Sequence, residues 1–360
     1  METLTTSPSH ERLPSIAEGL SVGVIYNPAS AQAKRVRSQL LDLIGSGCVP
    51  PHAIYATVPG GLEANAPGFA KLLAMGSGRR NEDGTVKPLD AIVVLSGDGL
   101  LLTFENFLAG QAANPDLPQK TRDNILKTVI IPVANGGASD KAKTQFPHGI
   151  HLRDLGGLPI EHHIPMRIET TRPDGETTVR RTTLYDSKGP TAKIAEYLNK
   201  PWRRNPVWNR IPGGKHLSMY LAGVLGWFGT PRFPVVIEGQ EHSLRELIVS
   251  NNPRMGGFNR FPGDARENSF FVLAVEAGRK FARLRAIGQL LLNKSRWQEH
   301  KEIEFTIGNK EGSSARFRHL WVAVPSQSAG ETEARLSRGT HVRITKIGEH
   351  AIRYASGATA

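Results

Sequence analysis

Asp90-Ala91-Ile92-Val93-Val94-Leu95-Ser96-Gly97-Asp98-Gly99, followed by Leu100 to Gly110, is the stretch on which the fold turns. A short apolar, β-branched run ends abruptly in Ser-Gly-Asp-Gly. A helical pattern follows, with apolar residues at Leu100, Leu101, Phe104, Phe107 and Leu108. A continuous apolar run of this length predicts a strand buried on both faces, as in a parallel sheet. The two glycines let the chain turn tightly and let backbone N–H groups approach a ligand. At a helix start those N–H groups favour an anion. Asp98 is the odd member, because a carboxylate does not bind a bare phosphate. It fits a group that takes a proton from an attacking hydroxyl, a group that faces a metal, or a plain helix cap.

Working outward, the same alternation recurs. Ser21 to Tyr26 predicts a first strand, and Asn27-Pro28-Ala29-Ser30 its turn, since Pro holds the preceding residue extended. Ala31 to Ile44 predicts an amphipathic helix, Ala53 to Val58 a second strand and Leu62 to Leu73 a second helix. Thr128 to Val133 predicts a fourth strand, ending in Ala134-Asn135-Gly136-Gly137-Ala138-Ser139-Asp140. Strands alternating with helices imply right-handed crossovers and a parallel sheet. Ligands of such sheets sit at the carboxyl ends of the strands. Asn27, Thr57, Ser96 to Gly99 and Asn135 to Asp140 occupy those ends, and their convergence predicts a phosphate site. It is neither a Walker-type loop nor a dinucleotide fingerprint, because Gly-x-x-x-x-Gly-Lys-Ser/Thr and a Gly-x-Gly-x-x-Gly after the first strand are both absent.

The 360 residues suffice for two ordinary domains, and 39% hydrophobic with 22% charged residues describes a globular chain. The single cysteine, Cys48, excludes an internal disulfide and fits a reducing compartment. The N-terminus lacks the basic-then-apolar pattern of a secretory signal and reads as a disordered lead-in over residues 1–18. No window reaches the roughly 18 apolar residues of a membrane span. A net charge of +12 points to anionic partners. The basic residues are scattered, with no metal-finger spacing and no aromatic-rich RNA-binding motif, so nucleic acid is not expected. An anionic membrane surface or a phosphate ligand suits the charge better.

From about Pro159 the texture changes. Ile164 to Thr170 and Thr178 to Tyr185 alternate like strands around the turn Arg172-Pro173-Asp174-Gly175. Further strands are expected at Pro234 to Glu238, Leu247 to Asn251, Phe270 to Val275, Ile303 to Gly308, Phe317 to Ala323 and His341 to Ile347. Helices are expected at Thr191 to Leu198, Leu217 to Trp227 and Lys280 to Leu292. Two basic, aromatic-bearing stretches, Lys200 to Lys215 and Arg279 to Trp297, suit a membrane interface, or alternatively a solvated loop and a core helix.

These motifs resemble the lipid kinases of the diacylglycerol kinase and sphingosine kinase superfamily, with gaps, from about Ser21 to Ile347. Asn27-Pro28-x-Ser30 resembles the family's opening Asn-Pro-x-Ser-Gly, and Thr57 falls where the family keeps a threonine. Ser96-Gly97-Asp98-Gly99 is similar to the nucleotide loop, with the Ser seen in sphingosine kinases. Asn106 and Leu108 match the loop's Asn-Gly-Leu tail. Gly136 to Lys143 resembles the Gly-Thr-Ala-Asn-Asp-Leu-Ala-Arg segment. Asn251 to Gly257 resembles Asn-x-x-x-x-Gly-Gly, and Gly330-Glu331 the end of Asp-Gly-Glu. The chain departs from the family at Thr103, where Glu is usual, at Glu267-Asn268, where Asp-Gly is expected, and at Ala329, which replaces Asp. Lys193 lies near the position of an Asp associated with the sphingosine head group.

The resemblance implies a phosphofructokinase- and NAD kinase-like parallel α/β domain over residues 19–155. It implies an antiparallel β-sandwich, lipid-binding domain over 156–348, leaving 349–360 as a tail. It implies ATP and Mg2+ as cofactors and a long-chain lipid alcohol, such as ceramide, a sphingoid base or diacylglycerol, as substrate. Asp98 and Glu331 become the catalytic pair. Asn27, Ser30, Thr57, Ser96, Gly97, Gly99, Asn135, Gly136 and Gly137 become nucleotide contacts, and Glu267 a metal candidate. The expected setting is cytoplasmic and peripheral to a membrane, and a homodimer is compatible with it. A non-catalytic member of the family and a soluble NAD kinase-like enzyme are the alternatives.

Overall fold

The computed structural model describes residues 11–30, 32–135, 139–199, 232–252, 254–255, 259–260, 269–276, 297–308, 326–328, 331–332, 335–346 and 349–357. In chain order the first elements are β1 (Val22–Tyr26), α1 (Ala33–Gly45), β2 (Ile54–Ala56), α2 (Gly61–Met75), β3 (Ala91–Ser96), α3 (Asp98–Ala112), α4 (Gln119–Leu126), β4 (Val129–Ala134), α5 (Asp140–Gln145) and β5 (Ile160–His163). There follow β6 (Met166–Thr171), β7 (Thr177–Thr182), β8 (Tyr185–Lys188), α6 (Pro190–Asn199), β9 (Phe233–Ile237), β10 (Gln240–Ser250), β11 (Arg254–Met255), β12 (Asn259–Arg260) and β13 (Phe270–Glu276). The last are β14 (Gln298–His300), β15 (Glu302–Ile307), β16 (Ser326–Ser328), β17 (Glu331–Thr332), β18 (His341–Thr345) and β19 (Ile352–Ala355).

The chain divides into two compact units, residues 1–164 with 350–360, and residues 165–349. The first is a six-stranded sheet in the order β2-β1-β3-β4-β19-β5. β1, β2, β3 and β4 run parallel, β19 continues parallel to β4, and β5 closes the edge antiparallel. β3 explains why. Ala91, Val93 and Leu95 face one core layer with Val24, Val36 and Leu43. Ile92 and Val94 face the other, with Phe69, Phe104 and Phe107. Alternating residues of one strand are thus buried in opposite layers. Each such side chain contributes about 1.5–3 kcal/mol of transfer free energy. Phe69 meets Phe104 edge-on at 5.2 Å between centroids, pinning α2 to α3.

In the second unit β10 is the hub. It pairs antiparallel with β8, β9 and β13, within an antiparallel sheet that runs β17-β16-β8-β10-β9-β15-β18-β6-β7. Its core gathers Phe233, Leu247, Phe270, Phe305 and Val342. The Arg172 to Gly175 turn joins β6 to β7, with Gly175 at φ +87° and Thr171 opposite Thr177.

Several expectations change. The segment 349–360, read as a tail, supplies β19, which is inserted between β4 and β5. β5, placed by sequence in the second domain, belongs to the first sheet. The lead-in is ordered from Glu11 onward: Leu13 is buried, and its N–H donates to the Leu158 carbonyl at 2.9 Å. Thr178 to Tyr185, read as one strand, is two. The chain breaks at the buried Thr183 and Leu184, and β8 then pairs with β10 and β16. Phe317 to Ala323, Leu217 to Trp227, Lys200 to Lys215 and residues 279–296 of the second basic stretch lie outside the described residues.

Candidate active site

The strand order reverses direction between β1 and β3, since β2 extends one way and β4 the other. In parallel sheets ligands bind at such a switch point, here the carboxyl ends of β1 and β3. Asn27 follows β1 there, Ser96 ends β3, and Gly97 leads into Asp98, the first residue of α3. Gly97 is extended at φ −85°, ψ −179°, and no side chain caps the first turn of α3. Among the described residues, no side chain is recorded capping the amides of that turn.

The neighbouring strand ends are tied together locally. Asn27 Oδ1 accepts from the Ala29 N–H at 2.9 Å, which shapes the turn after β1. Ser30 Oγ donates to the Asn135 carbonyl at 3.4 Å, joining the turns after β1 and β4. The Asn135 N–H donates to the Ser96 carbonyl at 3.3 Å, and its Nδ2 donates to Gln39 Oε1 at 2.6 Å. Asn135 Oδ1 is buried and accepts no hydrogen bond among the described residues. Thr57 Oγ1 donates to the Tyr26 carbonyl at 3.2 Å. Thus Ser30, Ser96 and Asn135 form one connected group, with Thr57 bound to the end of β1. Gly136, Gly137 and Glu267 lie outside the described residues. Glu331 has its backbone on β17, in the second unit.

Asp98 is only 7% exposed and sits at the first position of α3 without capping it. Its carboxylate crosses instead to α5, accepting from the Asp140 N–H at 2.8 Å and the Lys141 N–H at 3.2 Å. Ser139 makes this possible: at φ +50° it turns the chain so that both amides face Asp98. Burial pushes the Asp98 carboxyl up to about 7. The Asp140 charge adds to the rise, the two amide bonds oppose it, and the Glu105 charge adds a smaller push.

Beneath Asp98 lie Asp140 and Lys141, from the strand-four turn read as part of the site, and two residues the sequence did not single out, Glu105 and Tyr354. Glu105, Asp140 and Lys141 are all buried, and so is Tyr354 on β19. Lys141 Nζ lies 4.2 Å from the Tyr354 ring centroid. The Tyr354 O–H donates to Glu105. His163 packs edge-on against Tyr354, and its Nε2 lies 3.1 Å from Glu161 Oε2. That contact holds Glu161 below the usual carboxylate range. One signal for Glu105 was available: a seven-residue spacing puts it on the same helical face as Asp98. Thr103, on another face, donates its hydroxyl to the Gly99 carbonyl at 3.0 Å. No three His, Cys, Asp or Glu side chains are grouped as a metal site among the described residues.

Neither the known sequence families nor the curated proteins contain a match to this chain. Solved structures do match. A chain from Bacillus anthracis str. Sterne, provisionally assigned as a diacylglycerol kinase, superposes with TM-score 0.55 at 14% identity. The match covers 94% of this chain and 97% of that one. The chain has the diacylglycerol kinase fold. A second such Bacillus anthracis chain agrees at TM-score 0.52 and 16% identity, covering 94% and 98%. Yeast NADH kinase complexed with NADH superposes at TM-score 0.47 and 11% identity. In the diacylglycerol kinase fold as this chain builds it, Asp98 stands at the switch point, and the strand ends around it are those predicted for phosphate.

Proposed function

We propose that the chain is an ATP-dependent kinase that phosphorylates a hydroxyl of a long-chain lipid. The observation that carries this reading is Asp98, a buried carboxyl at the switch point whose proton affinity is raised to about 7. A general base works best when its pKa lies near the working pH. The first turn of α3, whose amides no side chain is recorded capping among the described residues, suits a polyphosphate. Asp98 would take the hydroxyl proton as the alcohol oxygen bonds to the γ-phosphorus of ATP. The bond from that phosphorus to the β–γ bridging oxygen breaks, and ADP leaves. Magnesium, arriving on the nucleotide phosphates, would neutralise charge during transfer. Ser96 and Asn27, at the carboxyl ends of β3 and β1, would contact the phosphates, and Glu331, through its resemblance to the Asp-Gly-Glu motif, would assist Asp98. The net charge of +12 favours an anionic membrane as the place where the lipid is met, at about 1 kcal/mol per well-placed Lys or Arg.

The two amide bonds from α5 support a competing reading, in which Asp98 is a structural tie and the protein binds without catalysis. Labelled ATP offered with diacylglycerol, ceramide, sphingosine, monoacylglycerol and NAD separates the readings. Transfer to a lipid, lost about 10²–10⁴-fold in Asp98→Asn, supports the kinase. Transfer to NAD alone, or to none of the panel, refutes it. The membrane part stands on flotation with phosphatidylserine vesicles. Binding should be strong in low salt and weak in roughly 0.5 M salt, where screening is short-ranged. Absence of binding at low salt removes it.

A further inference from the structure

The buried face of α3 carries a second carboxylate whose setting is as elaborate as that of Asp98. Glu105 is fully buried two helical turns below Asp98, on the same face. An unpaired carboxylate in such a place is costly, and an apolar residue would pack there at less expense. The Tyr354 O–H donates to Glu105 Oε1 from β19. Lys141 Nζ covers the Tyr354 ring at 4.2 Å, while the Lys141 backbone N–H donates to Asp98 Oδ1 at 3.2 Å. The contacts thus close a ring: Asp98 to Lys141, Lys141 to Tyr354, Tyr354 to Glu105, and Glu105 back to Asp98 along α3.

We propose that Glu105 and Tyr354 are positioning residues for Asp98: the Tyr354 hydroxyl holds Glu105 as an ionised acceptor, and the Glu105 charge strengthens Asp98 as a proton acceptor. The proposal rests on the reading of Asp98 as the base. Among the described residues, the charged and titratable groups around the pair include Asp140 and Lys141 from α5, Tyr354 from β19, and His163 and Glu161 from β5. Asp140 pushes in the same direction as Glu105 and more strongly, so removing Glu105 leaves part of the effect in place. Thr103, two residues before Glu105 on another face, bonds its own helix and leaves the pair untouched.

The test reads Asp98 directly. The full chain is labelled with 13C-carboxyl aspartate, and the Asp98 resonance is assigned by its loss in Asp98→Asn. In the unsubstituted protein it should titrate near 7. In Glu105→Gln the midpoint should fall measurably, by less than removal of the Asp140 charge would lower it, as a like charge is removed. Tyr354→Phe should lower it too, because Glu105 without its donor takes up a proton. The double variant should titrate as Glu105→Gln does, since the two act through one charge. Thermal melting checks that each variant folds. Should Glu105→Gln fail to fold, Tyr354→Phe decides, as it removes a single oxygen. An unchanged midpoint in the folded variants overturns the proposal. The titration is visible with or without phosphoryl transfer, so failure of the coupling and failure of the kinase reading are distinguishable.

Discussion

Asp98→Asn separates what the carboxyl does for chemistry from what it costs the fold. Between its ordinary value of 3.8 and about 7, the folded chain keeps a proton that the unfolded chain has released. Stability attributable to this group therefore falls as pH rises through that window. The amide in Asp98→Asn does not titrate, so the melting temperature of the variant should gain on the parent steadily between pH 4 and pH 7. The lost acceptor costs about 1–3 kcal/mol at every pH and does not alter the slope. A parallel pair of melting curves against pH would refute the burial argument. Glu246 offers the same test away from the switch point. It is fully buried on β10, accepts from the Thr191 N–H at 2.9 Å through Oε2, and leaves Oε1 without a hydrogen bond among the described residues. Burial pushes it to about 8, against a bond from Thr191 and the charge of Arg245 that oppose the rise. Glu246→Gln should therefore stabilise the protein progressively from pH 4.5 to pH 8, by a few kcal/mol at the upper end. Equal melting temperatures for parent and variant at pH 8 would sink this. Of these residues, Asp98 was legible because Ser-Gly-Asp-Gly ends an apolar run. Glu246 was not, since nothing in Arg245-Glu246-Leu247 distinguishes a buried carboxylate from one on an exposed face.

At the level of elements, legibility followed how local the determining forces were. β3 declared itself because both its faces are buried, so its sequence is apolar throughout. α4 did not, because it buries only Ile125 fully and its first six residues are polar. α5 is six residues long, too short for a helical period to show. β19 escaped for a different reason. Ile352-Arg353-Tyr354-Ala355 is strand-like, but its partners Val129 and Ile130 lie more than two hundred residues earlier. No local pattern encodes that pairing. Its consequence is an element with central-strand duties at the end of the chain. Tyr354 and Ala355 are fully buried, and Arg353 sits in register with Val129 on one side and His162 on the other. Arg353→Pro should therefore destabilise the first unit by about 1–3 kcal/mol, since proline gives up a donor and fits poorly inside a sheet. Hydrogen exchange should show β4 and β5 losing protection together. Full protection of the β4 amides in that variant would mean that β19 is dispensable to the sheet.

At the scale of the whole molecule, the second unit is an insertion within a β-hairpin. β5 ends at His163 and β19 begins at Ile352, and the two residues are antiparallel partners. The chain leaves the first sheet and returns to it at one place, with residues 165–349 between. This arrangement was hidden from a reading that moved along the chain, because a domain boundary was sought where texture changed, near Pro159, and the return was taken for a tail. It makes a physical prediction about which pieces fold. Residues 1–164 alone lack β19, so β4 has an open edge and the Tyr354 site above Phe104 and Ile130 is empty of its side chain. Loss of a buried aromatic costs about 3–5 kcal/mol, comparable to the whole stability of many small domains. That fragment should be unfolded or molten. Joining residues 1–163 to 352–360 through a glycine-containing turn of about 2–5 residues restores a hairpin of ordinary geometry. The joined chain should melt cooperatively, with the Asp98 carboxyl still drawn to α5, because Asp98, Glu105, Asp140, Lys141 and Tyr354 all belong to it. It should show no lipid phosphorylation, having lost Glu331 and the proposed lipid-binding unit. Circular dichroism melting and amide exchange of the two pieces decide the matter: cooperative unfolding of 1–164 alone, or none in the joined chain, would contradict the insertion.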